Sequence, residues 1–128
     1  MDNHLTPALE DYLEIILRLT EENGKATITE IASRLGIAKP SANQAIHHLR
    51  ADGLVTQDRY GPVYLTETGR QKAEQVWHRH LIIRRYLQNV LKLSAAVAER
   101  DACMMEHVIS TETLAAMLKT LDSKNKFP

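Results

Sequence analysis

The stretch TITEIASRLGIAKPSANQAIHHLRADGLV, residues 27–55, decides the fold. Its first part places Ile28, Ile31, Ala32 and Leu35 on one helical stripe, and Gly36 supplies a turn. Its second part opens at Lys39 and runs to Gly53. Pro40 falls in the first turn of that helix, where a missing N–H costs nothing. Two β-like runs follow, LVTQDR at 54–59 and PVYLT at 62–66, separated by Tyr60 and Gly61. Gly61-Pro62 is turn chemistry, so the pair reads as a hairpin. Helix, tight turn, helix and hairpin together are the layout of a winged helix-turn-helix.

The second helix of such a pair is narrow enough to enter a major groove about 12 Å wide. Its polar face carries Lys39, Ser41, Asn43, Gln44, His47 and His48. Asn and Gln bond bidentately to adenine edges, and Ser reaches a phosphate or a base. Arg59 and Tyr60 at the hairpin tip are placed to meet the sugar-phosphate backbone. A polar helix face is common without nucleic acid, so the arrangement carries the reading rather than any one residue. From Lys25 to Leu65 there are five basic side chains (Lys25, Arg34, Lys39, Arg50, Arg59) against three acids (Glu30, Asp52, Asp58). Phosphate neutralisation dominates DNA affinity, so a lone monomer with this small excess is expected to bind weakly. A dimer presenting two reading helices to a two-fold, pseudopalindromic duplex site would bind better.

Upstream, TPALEDYLEIILRLTEENG reads as a helix capped by Thr6, with Pro7 at its first position and Gly24 as its stop. Downstream the pattern is helical throughout: residues 67–93, with a bend or break near His78–His80, then 94–110 capped by Ser94, then 111–121 capped by Ser110 or Thr111. The polar tail DSKNKFP, 122–128, reads as frayed. The expected fold is mainly α: a winged helix-turn-helix domain over 1–70 and an all-helical domain over 71–128. With 128 residues, 44% of them hydrophobic, the chain is long enough for a packed core. The net charge of zero gives no global sign of nucleic acid or membrane, so any DNA electrostatics must be local or conditional. The opening MDNHLTPALEDYLE lacks signal-peptide character, no apolar run spans a bilayer, and the single cysteine suits a reducing compartment. A cytoplasmic location is expected.

That cysteine stands in DACMMEHVIS, residues 101–110. Cys103, Glu106 and His107 share one stripe at helical spacing and are the ligand types of a transition-metal site. Three ligands on one helix seldom complete a coordination shell, and the best further candidates are Asp11, Glu14 and His80. Asp11 and Glu14 are three apart, on one face of the first helix. Taken singly the candidates have bland readings: Cys103 as a small core residue, His80 as a surface or hydrogen-bonded histidine, and Asp11 and Glu14 as solvated acids near a helix N-terminus.

Here the chain resembles the diphtheria-toxin-repressor family in its short, manganese-transport-regulator form. The resemblance rests on TPALEDYLEIIL, GIAKPSANQAIHHLRADGLV, LTETGRQKA, HRHLIIRRYL and ACMMEHVIS, and covers nearly the whole chain. It implies a metal-activated dimeric repressor with two domains and no third, SH3-like domain. Asp11, Glu14, His80, Cys103, Glu106 and His107 fall on the family's ligand positions. Pro40, Ser41 and Gln44 fall on DNA-contacting positions. Cys103 is of the iron branch, where the manganese branch has a carboxylate, whereas Asp11 is of the manganese branch, where the iron branch has methionine. The iron branch's ancillary site has a glutamate and a histidine at positions that are Arg84 and Glu99 here.

These readings give a homodimeric repressor of metal-uptake genes. Fe(II) and Mn(II) rank equally as activators, with Co(II) or Zn(II) behind them, and one or two ions bind per subunit. Asp11 and Glu14 belong to the DNA-reading domain and the other ligands to the helices behind it. Metal is therefore expected to tie the two together and to relieve repulsion among the acids. The chief alternative is a metal-independent winged-helix regulator that answers a small molecule or a partner. A metalloenzyme is disfavoured, because no nucleophile–base pairing stands out. The dimer contact is expected among the helices between Val76 and Met117, where LIIRRYLQNVLKL is more apolar than a small domain needs.

Overall fold

The computed structural model describes residues 5–126, with side chains described to residue 123. Met1–His4 of the opening stretch and Phe127 and Pro128 of the tail lie outside the described residues. The order of elements is α1 (Pro7–Asn23), α2 (Ile28–Leu35), α3 (Lys39–Ala51), β1 (Val55–Gln57), β2 (Val63–Leu65), α4 (Glu67–Asn89), α5 (Ala95–Met105) and α6 (Thr111–Lys126). The chain forms two compact units, 1–75 and 76–128, and the division falls within α4. Among the described residues no helix is long and apolar enough to cross a membrane.

The first unit is a winged helix-turn-helix. Thr6 caps α1 by accepting the Leu9 N–H at 3.2 Å, Pro7 opens the helix, and Gly24 closes it with φ of 82°. A capping box starts α2: the Glu30 N–H donates to Thr27 Oγ1, and Glu30 Oε1 accepts the Thr27 N–H. Gly36 ends α2 in the left-handed conformation, φ 67°, a backbone shape that glycine adopts without steric cost. The chain then re-enters helix at Lys39. Along α3 only Ala42, Ile46 and Leu49 are buried, four and three residues apart, so one stripe faces the core. They join Leu13, Ile16, Leu17, Ile31 and Val63 in the buried core of this unit. Each fully buried Leu or Ile contributes roughly 1.5–3 kcal/mol relative to exposure.

The wing is the antiparallel pair β1–β2, in the register Val55↔Leu65, Thr56↔Tyr64 and Gln57↔Val63. Val63 N–H also bonds the Ala26 carbonyl at 2.7 Å, which ties the wing to the segment before α2. At the tip Gly61 N–H closes on the Asp58 carbonyl at 2.8 Å. The left-handed residue there is Tyr60, φ 57°, one position before the glycine. Gly69, in the first turns of α4, is required sterically: a Cβ would lie 1.9 Å from the Leu54 carbonyl oxygen.

In the second unit, Ser94 caps α5 by accepting the Val97 N–H, and Ser110 caps α6 by accepting the Thr113 N–H. Ile83 and Leu87 of α4 pack with Ala98 and Ala102 of α5, and Tyr86, Met105, Ile109, Leu114 and Met117 border them. Three expectations are corrected. First, α4 runs unbroken through His78–His80, since no proline or glycine occurs from Arg70 to Lys92. Second, α5 stops at Met105, so Glu106 is its C-cap and His107 lies in the turn beyond rather than on the same helical stripe. The Val108 and Ile109 amides both turn back onto the Met105 carbonyl, and Arg79 Nε–H takes the Glu106 carbonyl at 2.9 Å. Third, α6 continues through the tail to Lys126, because Asp122–Lys126 contains no helix breaker.

Candidate DNA-reading face and metal donor cluster

The packing of α3 decides which side chains are offered outward. With Ala42, Ile46 and Leu49 turned in, Lys39, Pro40, Ser41, Asn43, Gln44, His47 and His48 are all exposed. Arg59 and Tyr60 are exposed at the wing tip, Tyr60 at 95%, with the Arg59 guanidinium 5.8 Å from the Tyr60 ring centroid. Gln57 Nε2–H bonds the Gly61 carbonyl at 3.0 Å and steadies that tip. A groove of about 710 Å³ runs between α3 and the wing, lined by Lys25, Lys39, Asn43, Arg50, Arg59 and Tyr60 among others. In the sequence Lys25 and Arg50 are only two of the five basic side chains between Lys25 and Leu65. Their signal was only positive charge, and the groove is what puts it beside Lys39 and Arg59.

The metal-ligand candidates fall in both units. Asp11 and Glu14 stand on α1, where Asp11 is half-buried and Glu14 is buried with Arg18 Nη1 at 3.7 Å. The second unit holds His80, Cys103, Glu106 and His107. His80 is wholly buried, its ring stacked on Trp77 at 5.3 Å and 11°. His80 Nδ1–H donates to Glu106 Oε1 at 2.8 Å, and Nε2–H donates to Glu99 Oε1 at 3.0 Å. Cys103 Sγ lies 3.9 Å from His80 Nδ1 and 3.8 Å from Glu99 Oε2. Glu106 Oε2 is buried without a hydrogen-bond partner among the described residues, 3.6 Å from His107 Nε2.

Burial alone would lower the His80 pKa, but hydrogen bonds with Cys103, Glu106 and Glu99 outweigh it and raise it to about 10. Glu99 is shifted the other way: burial opposes its charge, and the bonds from His80 and Arg84 lower its pKa below the usual carboxylate value. Imidazole, thiol and carboxylate converge, with one polar atom each of His80, Glu99 and Cys103 all within 4.8 Å of one another. The imidazole of His80, the sulfur of Cys103 and the carboxylate of Glu106 are donor types that suit a divalent transition metal, and the buried Glu106 oxygen without a hydrogen-bond partner among the described residues fits a cation better than it fits an apolar core. In the sequence Glu99 stands out only as a mismatch with the ancillary-site histidine of the iron branch. Its place four residues before Cys103, on the same helical face, was the signal that would have found it.

A helix-turn-helix with a β wing, followed by a helical unit carrying ligand-type side chains, defines a winged-helix protein with a candidate metal-binding half. Comparison with known families agrees. The iron-dependent repressor N-terminal DNA-binding domain matches residues 4–63, and the iron-dependent repressor metal-binding and dimerisation domain matches residues 66–128. The chain belongs to the iron-dependent repressor family, whose members are DNA-binding regulators rather than enzymes. It is similar to the transcriptional regulator MntR of Escherichia coli O157:H7, 36% identical over 113 residues, covering 88% of this chain and 72% of the relative. The diphtheria toxin repressor of Corynebacterium diphtheriae is 31% identical over 124 residues, 97% of this chain and 55% of that one. Among solved structures, a manganese-dependent transcriptional repressor in complex with manganese superposes with a TM-score of 0.79 at 30% identity, over 94% of this chain and 53% of the other. The chain thus spans about half the length of the longer relatives.

Proposed function

We propose that this protein is a metal-activated transcriptional repressor that binds a two-fold-related DNA operator as a homodimer and controls metal-uptake genes. The carrying observation is the buried His80–Glu106 pair, whose second carboxylate oxygen lies beside His107 without a hydrogen-bond partner among the described residues. Such an arrangement is costly in an apolar core and natural in a cation site. The activator is Fe(II) or Mn(II), with Co(II) or Zn(II) behind them, and one or two ions bind per subunit. His80, Cys103, Glu106 and His107 are the ligands of the second unit, and Asp11 and Glu14 are the carboxylates that α1 contributes. When bound, the ion supplies positive charge that neutralises the clustered acids. A solved structure named as a manganese-dependent repressor and a relative named as an iron-dependent repressor support both metals.

On the DNA side, Asn43 and Gln44 read base edges. Lys39, Pro40, Ser41, His47 and His48 line the same face, and Arg59 and Tyr60 meet the backbone. Metal that binds the DNA-competent state more tightly shifts the population toward it, and by linkage DNA tightens the metal in return. The test selects binders from a random duplex pool in the presence of Mn(II) or Fe(II). Affinity for the selected duplex is then measured with and without a chelator. A large loss on chelation is expected; DNA affinity indifferent to metal overturns the reading.

A further inference from the structure

Glu99 is the centre of a short relay within the second unit. Its Oε1 accepts His80 Nε2–H at 3.0 Å and Arg84 Nη1–H at 3.2 Å. On the other side of the imidazole, Nδ1 faces Glu106 Oε1 at 2.8 Å and Cys103 Sγ at 3.9 Å. Trp77 stacks against the ring and restricts its rotation. A ligating imidazole presents one bare nitrogen, and the acceptor on its other nitrogen decides which one that is.

We propose that Glu99, anchored by Arg84, is a positioning residue that keeps the hydrogen on His80 Nε2, commits Nδ1 to the metal, and is not itself a ligand. The inference rests on the metal-activated reading above. Two observations separate Glu99 from the ligands. The oxygen nearest His80 already carries the Arg84 guanidinium, a permanent cation, so a divalent ion there would meet a fixed like charge. The Glu99 side chain is also 40% exposed, whereas that of Glu106 is wholly buried and has one oxygen without a hydrogen-bond partner among the described residues. Arg84 therefore does at Glu99 the neutralising work that a second cation would otherwise do. The side chains facing His80 from α5 and its cap are Glu99, Cys103 and Glu106, and those from α4 are Trp77 and, through Glu99, Arg84.

The test uses the full chain labelled with ¹⁵N-histidine and loaded with Zn(II), which is diamagnetic. Long-range ¹H–¹⁵N correlation is expected to show zinc on His80 Nδ1 and hydrogen retained on Nε2. Glu99→Ala is expected to weaken Zn(II) and Mn(II) binding about 10- to 100-fold with the number of bound ions unchanged. Glu99→Gln, which keeps the acceptor, should return affinity to within a few-fold of wild type. Circular dichroism checks that both variants fold, and the wild-type spectrum needs no variant. Zinc on Nε2, loss of one bound ion in Glu99→Ala, or unchanged affinity in Glu99→Ala while wild type binds metal overturns this proposal alone. Wild-type protein that takes up no metal overturns the metal-activated reading and this proposal with it.

Discussion

His80 Nδ1 lies 2.8 Å from Glu106 Oε1, and neither side chain has any exposed surface. In the metal-free protein this pair is an imidazolium against a carboxylate. The folded His80 pKa, about 10, lies above the unfolded value near 6.5. The stabilisation is therefore complete below about pH 6.5 and is lost as pH rises through about 10. Urea unfolding in chelator, compared between wild type and His80→Gln, should show a stability difference that shrinks with rising pH. A difference that does not vary with pH would contradict it.

With His80 and Cys103 as the proposed ligands, metal would compete for the His80 nitrogen that the proton holds, and Cys103 would give up its own proton to ligate. Metal affinity should therefore rise with pH, and uptake should release protons into weakly buffered solution. Proton release measured alongside metal titration checks this directly; binding without release would exclude ligation through these two groups.

Cys103 is the softest donor in the cluster. Cys103→Glu replaces it with a hard oxygen and should shift activation toward Mn(II) and away from Fe(II), Co(II) and Zn(II). Because Cys103 is exposed, the change should cost no more than about 0.5 kcal/mol of stability. DNA-binding titrations with each ion give the comparison. An unchanged ion profile would show that the thiol does not set selectivity.

On the DNA side, Gln44 and Arg59 should behave differently. Gln44→Ala is expected to cost about 1–3 kcal/mol on the preferred site and to relax base preference there. Arg59→Ala should weaken all duplexes alike and reduce the magnitude of the salt slope by about 1. Anisotropy titrations over a salt series separate the two. Reversed behaviour would place Arg59 on a base and Gln44 on the backbone.

Gly69 offers a test of the fold itself. In an ordinary helix interior Gly→Ala stabilises by about 1 kcal/mol. Here the added Cβ would meet the Leu54 carbonyl oxygen at 1.9 Å, and backbone cannot swing aside as a side chain does. Gly69→Ala should therefore destabilise by about 1–3 kcal/mol. Gly36→Ala meets open space and should lose only the cost of its positive φ, about 1–2 kcal/mol. Chemical denaturation of both variants checks the contrast, and a stabilised Gly69→Ala would refute the close approach.

The elements were legible because their signals are local. Thr6, Pro7 and Gly24 bound α1; Thr27 and Glu30 start α2; Gly36 and Pro40 frame the turn into α3; and Ser94 and Ser110 start α5 and α6. Each acts within about four residues, through capping bonds or backbone sterics. Where local signals are weak, the element's end is not legible. Nothing in EHVIS announces that α5 stops at Met105, since its end depends on Arg79, from a distant turn of α4, bonding the Glu106 carbonyl.

By itself the sequence determined the winged-helix order, the outward face of α3 and the ligand types gathered around Cys103. Those follow from periodicity and from caps, which the chain carries in nearest neighbours. Only the tertiary structure decided what each donor faces. His80 is 19 residues from Glu99 and 26 from Glu106, and it meets both because Ile83, Leu87, Ala98 and Ala102 pack α4 with α5. That packing leaves Glu99 paired with Arg84 while one Glu106 oxygen has no hydrogen-bond partner among the described residues, a distinction that arises from side-chain direction in three dimensions rather than from spacing along the chain.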